Sequence, residues 1–155
     1  MKKFLPTGKL SPKLLKKLIT YLPTEDTNLI IPPGVGLDAA GIKIGNKLLA
    51  ITTDPITLAD NQIATYSVAV NANDVACLGC KPKWYSATLL LPVGTTEEQL
   101  TAIWKNLGDE LNRYVIKSIG GHTEITSTVN VPILTGQIIG ESIGSELLDV
   151  RNGKP

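Results

Sequence analysis

The run from Asn61 to Leu78 constrains this chain more than any other stretch, because it is rich in alanine and valine and holds one acid and no base. At 100° per residue, Ser67, Asn71 and Asp74 fall on one line along a helix over this run, while Val68, Ala69, Val70, Ala72, Val75, Ala76 and Leu78 fill most of the rest. A surface helix would spread lysine and glutamate over a broad outer face. This one must be covered on most sides, which calls for a sheet and other helices around it. Its narrow polar line ends in a carboxylate, and a carboxylate on an otherwise buried helix needs a cation or several donors to offset its desolvation. Asp74 is therefore a ligand or charge partner, or else a helix-ending aspartate bonded to nearby backbone. The residues alone leave both readings open.

The chain has 155 residues, 43% of them apolar, with a formal net charge of +1. That length suits one domain, and that composition excludes disorder. Near-neutrality argues against nucleic acid as the main partner. No stretch approaches the ~18 apolar residues of a membrane span, and Met-Lys-Lys-Phe-Leu-Pro lacks the apolar core of a signal peptide, so the expectation is a cytoplasmic protein with no membrane association. Cys77 and Cys80 form half of a four-cysteine zinc site at best, and read better as two inert thiols in a packed segment.

Lys2, Lys3, Lys9, Lys13, Lys16 and Lys17 all precede the first acid, Glu25, so residues 1–22 form a basic arm. Ser11 and Pro12 suit the cap and first turn of a helix in that arm, with Leu14, Leu15, Leu18, Ile19 and Leu22 at helical spacing. A solvated lysine face is the plain reading, and an anion-attracting flap the functional one. Farther on, Ala39 to Ile44 and Lys47 to Thr53 read as two strands around Gly45-Asn46, with Asp54-Pro55 breaking the second. Trp84 to Leu91 reads as a strand. Thr95 with Glu98 makes a capping box for a helix whose apolar stripe is Leu100, Ile103, Trp104, Leu107 and Leu111. Val115 to Ile119 is expected to be a strand ending at Gly120-Gly121, and Val131 to Ile139 a last strand interrupted by Pro132. Such an order predicts an α/β or α+β sandwich, with helices packed on a mixed sheet.

Asp38 opens the first strand of the pair and Asp54 closes the second, and either alone would be a turn residue. With Asp74 they make three acids at element ends, a set that suits Mg²⁺, which takes one or two carboxylates and fills its octahedron with water and phosphate oxygens. Gly120-Gly121-His122-Thr123-Glu124, at a strand end, would offer backbone N–H groups to a phosphate.

Four segments together, Gly36-Leu37-Asp38-Ala39-Ala40, Thr52-Thr53-Asp54-Pro55, Val70 to Gly79 and Gly120-Gly121-His122-Thr123-Glu124, resemble in order and spacing the N-terminal domain of the PurM-like superfamily. That superfamily includes aminoimidazole ribonucleotide synthetase, thiamine-monophosphate kinase, selenophosphate synthetase and the hydrogenase-maturation factor HypE. The resemblance runs from Leu10 to Glu141 and is nearest to the HypE-like group. It implies a sheet that pairs with a second copy across a homodimer, with ATP and Mg²⁺ bound near the interface. By motif, Asp38, Asp54 and Asp74 would be Mg²⁺ ligands, with Thr52 and Thr53 adjoining them and Asn71 lining the same pocket. Gly120, Gly121 and His122 would lie against the nucleotide phosphates, although thiamine-monophosphate kinases place an aspartate where this chain has His122. On this reading 23–141 is the ATP-binding domain, and 142–155 begins the connection to a C-terminal domain, continuous or supplied by a separate partner. The function expected is the nucleotide-binding half of an ATP-dependent phosphoryl-transfer enzyme. The alternative is a dimeric binding or scaffolding domain without turnover.

Overall fold

A computed structural model of the chain describes residues 4–57 and 62–152. Asn61, Lys2, Lys3 and the last three residues of the expected connection lie outside the described residues. The elements are α1 (Pro12–Ile19), β1 (Leu29–Ile31), β2 (Ala40–Ile44), β3 (Lys47–Ile56), α2 (Ile63–Cys77), β4 (Cys80–Pro92), α3 (Glu97–Arg113), β5 (Lys117–Thr126) and β6 (Ile133–Ser142), followed by a short 3₁₀ turn at Val150–Asn152. Six strands form one mixed sheet in the order β1-β2-β3-β6-β4-β5. Among the described strands only β4 and β5 run parallel, which requires the crossover that α3 supplies.

The β2–β3 hairpin closes from Ile44↔Lys47 over Gly45-Asn46, and Gly45 has a φ of +58°. The glycine therefore stands where a positive φ is needed, which is why this dipeptide order works. Contrary to expectation, β3 does not break at Asp54-Pro55: Pro55 pairs with Thr135 and the strand runs to Ile56. The pairing with β2 ends at Ala40↔Ile51, so Pro55 lies where β3 has become an edge, a place proline tolerates.

Alternation fixes which way the central strands face. Leu134, Gly136, Ile138 and Gly140 of β6 are buried beneath α2, together with Tyr85, Leu89 and Leu91 of β4. A Cβ at Gly140 would sit 3.1 Å from Val75 Cβ, so bare backbone on β6 lets the small-residue helix come close. Ile63, Ala64, Val68 and Val75 of α2 and Leu107 and Leu111 of α3 complete the core, each large aliphatic contributing roughly 1.5–3 kcal/mol by its burial. Trp104, expected in the α3 stripe, is 49% exposed. α1 takes its Ser11 cap and Pro12 start as read from sequence but buries no residue.

Three further expectations need correction. The capping box of α3 is Thr96 with Gln99, because Thr95 turns its hydroxyl to the Pro92 carbonyl at 2.7 Å. Gly120-Gly121 does not end a strand but lies inside β5, which runs on to Thr126. Pro132 precedes β6 rather than interrupting it. Leu147 and Leu148, beyond Ser142, remain tied to the domain: Leu148 donates its N–H to the Leu78 carbonyl and Leu147 packs on the core. Among the thiols, Cys80 is buried, as expected, and Cys77 is exposed.

At the C-terminus of α3, Ile116 N–H bonds to Leu111 O and Val115 N–H to Asn112 O, the two bonds of a Schellman motif. Its left-handed position is filled by Val115 at φ 58°, where glycine is usual and a β-branched residue is strained. Val115 is exposed, so no packing is lost on trimming it. Val115→Gly should raise stability by about 1 kcal/mol in urea unfolding, and a loss of stability would contradict the strain argument.

Candidate functional site

Thr52 and Asp54 stand two apart on β3 and face the helical side, where the polar line of α2 meets them. The Thr52 hydroxyl lies 2.8 Å from the Asp38 carbonyl and 2.9 Å from Asp74 Oδ2, one proton for two acceptors, and it is buried. Thr52 thus ties the entry to β2, the middle of β3 and the last turn of α2 at one point. Asp54 is half-buried beside Asp74, and Asp38 is exposed at the rim.

Burial first, then a carboxyl–carboxyl hydrogen bond with Asp54 and the negative charges of Asp54 and Asp38, push the Asp74 carboxyl up to about 6, against the opposing pull of the Thr52 hydroxyl. A carboxyl pressed by two neighbouring acids marks a place that a cation would relieve. Among the described residues no three His, Cys, Asp or Glu side chains form a ready-made cage. The donors present are carboxylates with no imidazole or thiolate among them, a set that suits a hard cation such as Mg²⁺, which takes only one or two carboxylates, and does not suit zinc.

The remaining residues singled out from sequence are placed differently. Thr53 points to the opposite face of the sheet, exposed, with its hydroxyl donating to the Gly136 carbonyl at 3.0 Å. Asn71 is fully buried and meets the protein's own backbone. Gly120, Gly121 and His122 lie on β5, at the far edge of the sheet. The row Asp54–Gly136–Ala87–Gly121 crosses four strands, which puts the glycine about 14 Å from the aspartate. His122 is exposed and pairs with Glu124 at 3.3 Å. Within one chain these three residues do not join the carboxylates. Two participants had no sequence signal of their own: the Tyr85 hydroxyl, 2.8 Å from Ser67 Oγ, and Gly136 beneath them.

A sheet with two helices on one face, and an acidic site where a helix end meets a strand edge, make this an α+β domain. The crystal structure of the hydrogenase maturation protein HypE in complex with ATP has the same fold, with a TM-score of 0.66 at 22% identity over 84% of this chain and 40% of that one. Residues 36–142 match the family described as AIR synthase related protein, N-terminal domain, and the chain belongs to that family. Thiamine-monophosphate kinase of Buchnera aphidicola subsp. Schizaphis graminum is 33% identical over 72% of this chain and 36% of its own length. The putative hydrogenase expression/formation protein MJ0676 of Methanocaldococcus jannaschii is 30% identical over 86% of this chain and 42% of its own. The chain thus spans less than half the length of these curated relatives. Among the described residues no helix is long and apolar enough to cross a membrane.

Proposed function

We propose that this domain is the Mg-ATP-binding part of an ATP-dependent phosphoryl-transfer enzyme. The observation that carries the reading is the Thr52 hydroxyl, which joins the Asp74 carboxylate to the Asp38 backbone at the junction of β3 and α2, with the Asp54 carboxyl acting on Asp74 beside it. Asp54 and Asp74 would hold the ion directly, and Asp38 would act on it through water. The bound ion would neutralise the charge of the phosphates. Phosphoryl transfer asks little covalent chemistry of the protein and much positioning and charge stabilisation, which carboxylates fixed by a strand and a helix supply. The ATP complex of the HypE structure supports the choice of nucleotide. A phosphate role for Gly120, Gly121 and His122 rests on the family resemblance.

A homodimer fits the other face of the sheet. Ile51, Ile139 and Trp84 form one row across β3, β6 and β4 on the side away from α2, only partly covered. A second sheet laid on this face would cover the row, and a stable contact would bury at least ~1,200 Å² in total.

The test of the Mg²⁺ reading is its pH dependence. A cation must displace the proton that Asp74 holds below about pH 6. Mg²⁺ affinity measured by calorimetry should be level above that pH and fall about tenfold per unit below it. An affinity that does not change through this range would contradict ligation by Asp74.

A further inference from the structure

We infer that Asn71 is a positioning residue, which grips the backbone of β3 at Asp54 and so sets the separation of the Asp54 and Asp74 carboxylates. The inference rests on the Mg²⁺ reading above and deepens it. Asn71 is 0% exposed, so it cannot touch a ligand, although it shares the polar line of α2 with Asp74. Its Oδ1 accepts the Asp54 N–H at 3.0 Å, and its Nδ2 donates to the Ser67 carbonyl at 2.8 Å, one turn back in the same helix. With both ends of the amide bonded, its orientation is fixed.

The place where it grips matters. β2 accompanies β3 only as far as Ile51, so at Asp54 the strand is an edge, and the amide of Asn71 takes up a backbone N–H there. Asp74 follows Asn71 by three residues, on the same side of the helix. One turn of α2 therefore carries both the group that fixes the Asp54 backbone and the carboxylate that meets the Asp54 side chain.

The depth of the helix is set as well. A Cβ at Gly136 would lie 2.5 Å from Ser67 Oγ and 2.8 Å from Asn71 Nδ2, so a bare backbone on β6 is what admits both side chains. Ser67 is anchored in turn by the Tyr85 hydroxyl at 2.8 Å. Partners that orient a metal-binding carboxylate commonly change metal affinity 10–100-fold when removed.

The test compares the wild-type chain with Asn71→Ala and with Val68→Ala, which opens a cavity in the same helix without touching Asp54. Mn²⁺ affinity is measured by calorimetry, and exchange of the Asp54 amide hydrogen by NMR. Asn71→Ala should weaken Mn²⁺ binding at least about tenfold and speed Asp54 exchange at least about tenfold, while Val68→Ala melts lower yet binds Mn²⁺ within about twofold of wild type. Asn71→Ser serves the same comparison if Asn71→Ala does not fold. Equal Mn²⁺ binding by wild type and the Asn71 variant overturns the inference and leaves the metal site standing. Equal weakening by Val68→Ala also overturns it, since general loss of stability would then suffice. A wild type that binds no Mn²⁺ overturns the metal reading and the positioning role with it, and Asp54 exchange then reports the hydrogen bond alone.

Discussion

Replacing Asp74 with asparagine will abolish the melting shift that Mg-ATP gives the wild-type domain, and will leave the ligand-free domain at least as stable near neutral pH. Burial and the neighbouring acids push the Asp74 carboxyl up to about 6, above the 3.8 of a free aspartate. The contribution of such a group to stability is fully present below the unfolded value and is lost as pH rises through the folded one. Near neutrality the ionised carboxylate is therefore a burden on the fold. An asparagine keeps an oxygen for the Thr52 hydroxyl and removes the repulsion. Ligand at a hundred times its Kd stabilises a fold by ~2.7 kcal/mol, a shift of roughly 5–10 °C for a domain of this size. Melts of both proteins with and without Mg-ATP decide the matter. A variant that melts several degrees lower alone, and shifts as far as wild type with ligand, would make Asp74 a structural helix end.

Gly121→Ala will destabilise the domain by ~3 kcal/mol or more, at the upper end of what one added methyl costs. The added Cβ would collide with the Ala87 carbonyl oxygen. That atom is backbone of β4, held on its other side by β6 through Ala87↔Gly136, so it cannot move aside without breaking the sheet. A glycine kept only to let a phosphate approach predicts the opposite pattern, unchanged stability with weaker nucleotide binding. Urea unfolding separates the two, and a variant within about 0.5 kcal/mol of wild type would overturn the packing explanation.

How much of this could be read from the residues varied with how local the cause was. The β2–β3 hairpin, α2 and α3 are specified by periodicity and turn chemistry within their own spans. The α3 cap slipped by one because Thr95 with Glu98 and Thr96 with Gln99 both satisfy the same spacing, and only the Pro92 carbonyl decides which threonine is free to cap. Pro55 stays in its strand for a reason sequence does not contain, the early end of β2. Gly120-Gly121 read as punctuation because glycine pairs usually end strands. Here they answer to a parallel neighbour and a register shift near Ser86. The polar line of α2 was legible as a line, with Ser67, Asn71 and Asp74 on one side of the helix. Which members face a ligand depends on the sheet beneath: Gly136 draws Ser67 and Asn71 inward, and Asp74 alone reaches the acidic rim.

The most direct measurement is a calorimetric titration of the wild-type chain with ATP, once with Mg²⁺ and once with the metal chelated. If Asp54 and Asp74 hold a Mg²⁺ ion that would neutralise the phosphates of the nucleotide, ATP should bind only with that ion, so the two titrations should differ completely. Saturable binding with Mg²⁺ and none under chelation is the predicted result. Equal binding in both, or none in either, would contradict the assignment of Asp54 and Asp74 as the residues that hold the nucleotide's metal.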